Sequence, residues 1–186
     1  MVEIKFCTQC GSSKIDFSIP ENDNRPRFIC IDCSYIHYLN PKIVVGCIPA
    51  YEDKVLICKR SIAPRKGFWT IPCGFMENAE TAEEGAQRET LEEANARVKI
   101  KSLHTVYSLP HINQVYLLFL SELQDLDFSA ADETEEVKLV NEDELPFDRL
   151  AFTSINFALK NYFEDRRLNR SMVHIGSLPA DTMRLH

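Results

Sequence analysis

Three glutamates in the middle of this 186-residue chain have a spacing that suits metal binding. Glu89, Glu92 and Glu93 are three and four residues apart, so on a helix their carboxylates project from one face within a single turn. The common alternative for such a run of charges is an acidic helix face exposed to solvent. Carboxylates held this close repel one another, and ligands that are all oxygen suit Mg²⁺ or Mn²⁺. We therefore expect a divalent cation on this face.

The helix that must carry these side chains has a predictable start and end. Thr81 and Glu84 fit the capping-box pattern, in which the threonine hydroxyl accepts from a free amide and the glutamate reaches back to the cap residue. Asn95 tolerates the left-handed conformation in which helices often end. These signals predict a helix over residues 82–94.

The segment around this helix resembles the Nudix box, whose pattern is G-x5-E-x7-R-E-U-x-E-E-x-G-U with U an aliphatic residue. The positions of this chain that match it in register are Gly74, Glu80, Arg88, Glu89, Glu92 and Glu93. The positions that depart from it are Thr90, Asn95 and Ala96, none of which removes a ligand. The approach to the box is also similar to the family's, through Arg60, Pro64, Gly67, Trp69 and Pro72. Cys73 stands where the family has a glycine.

The resemblance implies a function for each residue of the acidic set. The expected magnesium ligands are Gly74, Glu89, Glu92 and Glu93. Arg88 is expected to orient the carboxylates through an ion pair with Glu80. The family's reaction is attack of water on the pyrophosphate link of a nucleoside diphosphate joined to a second group, assisted by divalent ions. The general base in the family is a box glutamate or one from a later loop, for which this chain offers Glu133, Glu135 and Glu136.

Four cysteines near the N-terminus form a second set of candidate metal ligands. Cys7 and Cys10 are separated from Cys30 and Cys33 by nineteen residues, and each pair has two residues between its members. Two such pairs can place four thiolates around Zn²⁺, and a unit of this size needs the metal because its core is small. A pair of disulfides is the alternative, but the chain has seven cysteines and no apparent signal peptide. The remaining cysteines lie in apolar runs and are expected to be buried thiols: Cys47, Cys58 and Cys73.

The rest of the chain alternates between strand and helix patterns. Strands are predicted over residues 42–51, 54–60, 68–72, 98–109, 114–121 and from 138, and a closing helix over 152–167. With the box helix, this order fits the α+β class and the α/β/α Nudix sandwich with a mixed sheet, preceded by a small zinc ribbon. The expected domains are the ribbon over 1–38, the Nudix domain over 39–167 and a tail without clear periodicity over 168–186.

The substrate is less clearly indicated than the reaction. A four-cysteine ribbon joined to a Nudix domain resembles NADH pyrophosphatases, but the segment 107–116 departs from their signature after the box. Segments at 40–41, 108–116 and 147–154 are closer to the ADP-ribose and FAD pyrophosphatases. The expected phosphate contacts are Arg60, Arg65 and Lys66. The aromatic residues that could stack on a base, or belong to the core instead, are Tyr107, His111 and Tyr116. A nucleotide sensor without turnover is the non-enzymatic alternative.

Composition limits the partners of the chain. Its net charge of −7 argues against a nucleic-acid surface, because such surfaces neutralise phosphates with clustered lysine and arginine. Its longest apolar run, residues 115–120, is too short to cross a membrane. We therefore expect a soluble cytoplasmic protein that binds a small nucleotide. The family resemblance is compatible with a homodimer, but the sequence itself does not reveal the oligomeric state.

Overall fold

Four cysteines organise the first of two units in the computed structural model, which describes residues 4–178 and divides after Asn40. The strands of this unit are β1 (Ile15–Ser18), β2 (Arg27–Cys30) and β3 (Ile36–His37), which form one antiparallel sheet in that order. Its large exposed apolar side chains include Phe6, Phe17, Ile19, Ile31, Tyr35 and Tyr38. The core of the unit is therefore too small to stabilise it alone, as expected for a zinc ribbon.

The second unit is built on one mixed sheet. In chain order its strands are β4 (Lys42–Tyr51), β5 (Lys54–Arg60), β6 (Trp69–Thr70), β7 (Cys73–Phe75), β8 (Val98–Leu109), β9 (Gln114–Leu123), β10 (Thr134–Val140) and β11 (His174–Ser177). Their spatial order is β10-β5-β4-β9-β8-β11, with β6 paired to β5 and β7 to β4. The pairs β4–β9 and β8–β11 are parallel, and the other pairs are antiparallel.

Two helices cover the faces of this sheet, α1 (Ala82–Ala94) on one side and α2 (Thr153–Arg167) on the other. In the central strand β4, Val45 packs in the cluster that includes Ala86 of α1. Its neighbour Val44 packs in the cluster that includes Ile155 of α2. This alternation is that of a strand buried on both faces, and it confirms the predicted sandwich. Neither helix within residues 4–178 is long and apolar enough to cross a membrane.

Most elements lie where the sequence predicts them. The helix α1 has the predicted bounds, and α2 begins one residue later than predicted. The strands β4, β5 and β8 have the predicted ranges, while β9 continues two residues further. Of the strand predicted over 68–72, only the two residues of β6 form a strand, because the chain then turns and enters β7.

Two elements differ from the prediction. The strand β10 begins at Thr134 and not at 138, because the acidic segment pairs with β5. The tail expected over 168–186 contains β11, which adds a parallel strand to the edge of β8. Residues 179–186 of that tail lie outside the described part of the chain. The C-terminal segment is therefore part of the sheet, at least as far as Ser177.

Candidate active site

The helix α1 begins at a side-chain capping box and ends at a left-handed residue. Thr81 Oγ1 accepts a hydrogen bond from the amide of Glu84 at 3.2 Å, and Glu84 Oε2 accepts one from the amide of Thr81 at 2.8 Å. At the other end Asn95 is left-handed, with φ of 48°. Thr90 donates from its hydroxyl to the carbonyl of Ala86 at 2.7 Å. The departures from the Nudix pattern at 90 and 95 thus leave the helix and its termination intact.

Arg88 lies at the centre of the acidic set. Its Nε and Nη2 donate to the two carboxylate oxygens of Glu80 at 3.0 and 2.8 Å, a paired contact that suits the planar guanidinium. Its Nη1 donates to Glu89 at 2.8 Å and to Glu92 at 3.0 Å, and Nη2 also donates to the carbonyl of Phe75 at 3.1 Å. The bonds from Arg88 lower the pKa of Glu80 to about 2, so this carboxylate is ionised near neutral pH. One guanidinium therefore fixes three carboxylates.

Glu93 is buried on the inner side of α1, next to β7. Its Oε2 accepts a hydrogen bond from the amide of Cys73 at 3.0 Å, which fixes the orientation of the carboxylate. Burial raises the pKa of Glu93 to about 7, and the charge of Glu89 adds to this increase. Burial also raises the pKa of Glu89. A divalent cation between two such carboxyl groups would favour their ionised forms.

Gly74 brings the backbone of β7 against the acidic helix. A β-carbon at this position would overlap the carboxylate of Glu89, so a side chain cannot be placed here without moving that glutamate. The carbonyl expected to face the metal belongs to the same residue. The neighbouring Cys73 is buried, in agreement with the prediction, as are Cys47 and Cys58. The glycine thus explains how a main-chain segment and a carboxylate can approach the same point.

The three glutamates of α1 do not converge on one point. Two groups of side chains within residues 4–178 have all their candidate ligand atoms within 4.8 Å of one another, and these glutamates are in neither group. Glu92 is turned outward to Arg88 with 58% of its side chain exposed, whereas Glu93 faces inward. The oxygen donors fit a hard divalent cation. Binding one would require Glu89 and Glu92 to exchange Arg88 for the ion.

One of the three expected phosphate contacts acts electrostatically on the acidic set. The positive charge of Arg60 opposes the effect of burial on the pKa of Glu93. Arg65 lies on the ring of Phe68, with its Cζ 5.4 Å from the ring centroid. Lys66 is exposed. Arg60 is therefore the best placed of the three to contact a phosphate beside the acidic set.

Two of the aromatic residues do not fit the stacking role expected of them. Tyr107 and Tyr116 are each 6% exposed and belong to the core cluster on the α2 side. The ring of Tyr107 lies 5.2 Å from that of Phe157, so strand alternation has turned it into the core. His111 lies in a short 3₁₀ turn between β8 and β9, and its Nδ1 has no hydrogen-bond partner in the described chain. A base-binding role for His111 remains a prediction.

The three glutamates considered as general base have different surroundings. Glu135 and Glu136 lie in β10, and each pairs with a lysine, at 3.2 and 2.8 Å. Glu133 precedes the strand and is exposed. Burial is the main cause of the raised pKa of Glu93, and the charge of Glu133 adds to it. The charge of Glu133 thus acts on two carboxyl groups of the acidic helix, Glu89 and Glu93.

The four ribbon cysteines lie together, as the sequence predicts. Cys7 Sγ is 3.7 Å from Cys33 Sγ, and Cys10 Sγ is 3.5 Å from Cys30 Sγ. All four sulfurs lie within 4.8 Å of one another. Zinc–sulfur bonds of about 2.3 Å in a tetrahedron separate the sulfurs by about 3.8 Å, whereas a disulfide needs about 2.05 Å. The sulfurs fit a tetrahedral zinc ion and not a pair of disulfides.

Comparison with known proteins identifies relatives of both units. The family described as the NUDIX domain matches residues 40–160, and the family described as Nudix N-terminal matches residues 5–39. The crystal structure of a NUDIX hydrolase from Nitrosomonas europaea is similar to this chain at 55% identity and a TM-score of 0.91. The match covers 94% of this chain and 99% of that one. The similarity therefore extends over both units.

Curated relatives give two different activities. The ADP-ribose pyrophosphatase of Methanocaldococcus jannaschii is 35% identical over 124 residues, which cover 63% of this chain and 71% of that protein. The NAD-capped RNA hydrolase NudC of Haemophilus influenzae is 32% identical over 108 residues, which cover 57% of this chain. That match spans only 38% of the length of NudC. Similarity alone does not select one substrate.

Proposed function

This chain belongs to the Nudix family, and from that premise we propose that it hydrolyses the pyrophosphate bond of a nucleoside diphosphate derivative. ADP-ribose or FAD is the favoured substrate, and the products would be AMP and the other monophosphate. The observation that carries the proposal is the complete acidic set around Arg88, with Glu93 buried against the amide of Cys73. A protein that only bound nucleotides would not need to keep every one of these groups.

The residues of the site have distinct roles in this proposal. A bound Mg²⁺ or Mn²⁺ would neutralise phosphate oxygens and lower the pKa of a water molecule. Glu89 and Glu93, with Glu92 and the Gly74 carbonyl, would hold that ion. Arg88 would position the carboxylates before the ion arrives. Glu133 would accept the proton of the attacking water, because it is exposed and its charge helps to raise the pKa of Glu89 and Glu93.

Three considerations favour ADP-ribose among the substrates. One relative that covers much of the chain is named for this activity. The segments at 40–41, 108–116 and 147–154 resemble the ADP-ribose and FAD group. The segment 107–116 also departs from the NADH pyrophosphatase signature. This departure counts against NADH, which is the alternative substrate. Arg60 would contact a phosphate of the bound dinucleotide.

A panel of substrates tests this proposal directly. ADP-ribose, FAD, NADH, NAD and diadenosine polyphosphates would be incubated with the full chain and Mg²⁺, and the products separated by chromatography. We expect ADP-ribose to give AMP and ribose 5-phosphate, with one ¹⁸O atom incorporated from labelled water into one of these products. Absence of turnover for every compound, with either Mg²⁺ or Mn²⁺, would contradict the hydrolase assignment. Faster turnover of NADH than of ADP-ribose would favour the alternative substrate.

Replacing Arg88 by lysine is expected to reduce kcat/KM by about 10- to 100-fold, because an ammonium group cannot hold three carboxylates in one plane. The rate would be measured over a range of Mg²⁺ concentrations, since loosened carboxylates should also change the concentration required. Arg97→Lys is the matched control, because Arg97 forms an exposed ion pair with Asp125 at 3.2 Å, away from the acidic set. Equal rates for the two variants would show that Arg88 does not organise the site.

The cellular setting is part of the same proposal. Reduced thiolates are required at the zinc ribbon, so we place the protein in the cytoplasm. The ribbon is proposed to be structural, because the net charge of −7 does not favour nucleic acid. A homodimer would be consistent with the family resemblance, and light scattering on the purified protein would measure it.

A further inference from the structure

Three buried side chains on the α2 side of the sheet take no part in the proposed reaction. His104 comes from β8, Asp165 from the last turn of α2 and His174 from the start of β11. They are 4, 5 and 9% exposed, and His104 packs edge-on against Tyr162 of α2. One candidate ligand atom of each lies within 4.8 Å of the other two. Three elements thus place two imidazoles and a carboxylate around one point.

The contacts inside this cluster leave one nitrogen unsatisfied. Asp165 Oδ2 lies 2.8 Å from His174 Nε2, and Oδ1 accepts from Nε of Arg170 at 2.6 Å. His104 Nε2 lies 3.9 Å from Asp165 Oδ2, which is beyond hydrogen-bond distance. It has no other partner in the described part of the chain. Buried polar atoms are nearly always paired, so an unpaired nitrogen directed at a carboxylate indicates a ligand between them.

The other nitrogen of His104 determines what kind of ligand fits. Nδ1 lies 2.8 Å from the hydroxyl oxygen of Thr105. With the ring proton on Nδ1, the threonine accepts this hydrogen bond and the lone pair of Nε2 faces Asp165. In this tautomer the unprotonated Nε2 is free to bind a metal ion.

We propose that His104 Nε2, His174 Nε2 and Asp165 Oδ2 form a site for a transition-metal ion, with Zn²⁺ as the best match for this ligand set. Bonds of about 2.0–2.1 Å to a tetrahedral ion separate the ligand atoms by about 3.3 Å. The observed separations from Asp165 Oδ2, 2.8 and 3.9 Å, lie on either side of this value. On binding, the contact between His174 and Asp165 would be replaced by two bonds to the ion, with the imidazole proton on Nδ1.

The surroundings of the cluster suit an ion with one open coordination position. A cavity of about 310 Å³ borders it, and its lining includes Tyr162, Asn169, Arg170 and Ser171. Water can therefore reach the ion from this side. Arg170 holds Oδ1 of Asp165 and leaves Oδ2 for the metal, as outer partners of metal ligands commonly do. The ion would join β8, α2 and β11. This proposal does not depend on the reaction at α1.

Zinc analysis of the full chain tests the site. The protein would be saturated with Zn²⁺ in excess Mg²⁺, which keeps zinc from the acids of α1, and then freed of unbound metal by gel filtration. We expect two equivalents of zinc, one at the four cysteines and one at the cluster. His104→Gln and His174→Gln should each retain one equivalent. Asn169→Ala is the control, because Asn169 lines the same cavity without belonging to the ligand set, and it should retain two.

A second measurement does not require any variant to fold. In the wild-type protein labelled with ¹⁵N-histidine, Zn²⁺ should shift the Nε2 resonances of His104 and His174 and leave those of His111 unchanged. One equivalent of zinc in the wild type, or two in both histidine variants, would overturn the proposal. Nε2 resonances of His104 and His174 that do not move at saturating zinc would overturn it as well.

Discussion

Glu93→Gln is expected to reduce metal-dependent turnover by at least about 10²-fold and to leave the protein folded. Glutamine keeps the volume of the side chain and an oxygen that can accept from the amide of Cys73. It removes the negative charge that the divalent ion requires from its ligand. The rate should therefore fall with little change in structure. Steady-state kinetics on ADP-ribose at saturating Mg²⁺ would measure the effect.

Stability provides the internal check on this variant. Burial raises the pKa of Glu93 to about 7. The free energy of unfolding of the metal-free protein should therefore fall as the pH rises from the pKa of this carboxyl in the unfolded chain to about 7, because the buried site disfavours the charged carboxylate. At pH 8 the glutamine variant lacks that charge and should unfold at a temperature no lower than the wild type without metal. A large fall in its unfolding temperature would mean that lost activity reflects misfolding.

A matched control separates position from charge. Glu83 lies in the first turn of the same helix and is exposed, so Glu83→Gln makes the same chemical change away from the acidic set. We expect this variant to retain wild-type rates. If Glu93→Gln were as active as Glu83→Gln, Glu93 would not be a ligand of the catalytic ion.

Cys30→Ser is the second change with a large expected effect, because it should unfold the first unit. Cys30 is fully buried, and structural zinc contributes about 10–16 kcal/mol to the folding of comparable small units. We expect loss of the ribbon zinc and rapid amide exchange over residues 5–39, with slow exchange retained in β4 and β9. Hydrogen-exchange mass spectrometry and zinc analysis would measure the two effects.

Cys47→Ser is the control for this experiment. Cys47 lies in the core of the second unit, where its thiol donates to the carbonyl of Ala86 at 3.4 Å, and serine preserves a donor. This variant should keep the ribbon zinc. Protected amides in the first unit of Cys30→Ser after zinc removal would contradict the proposal that the metal holds this unit together.

The sequence predicts the acidic helix well because its signals are local. The capping box at Thr81 and Glu84, the stop at Asn95 and the spacing of the glutamates all act within one segment, and the observed bounds agree with them. The ribbon is predictable for a similar reason, since the spacing of its cysteines limits how they can meet. Both predictions needed only the residue types and the distances along the chain.

The remaining features depend on pairing between distant segments. The early start of β10 follows from its register with β5, where Glu136 lies opposite Lys59. The strand β11 forms because β8 offers an unpaired edge. The histidine cluster was not predicted from the sequence, because His104 and Asp165 are 61 residues apart in the chain and only the sandwich brings them together. Strand alternation over residues 98–109 would have indicated only that His104 is buried.

The contacts of Arg88 have a consequence for how the protein acquires its cation. The guanidinium is a resident counter-ion that offsets the repulsion among the glutamates, so the chain can fold before any divalent ion is bound. The same group would compete with the incoming ion for two of its proposed ligands, Glu89 and Glu92. An internal competitor of this kind keeps affinity moderate, which suits an ion that is abundant and exchanges freely with the solution.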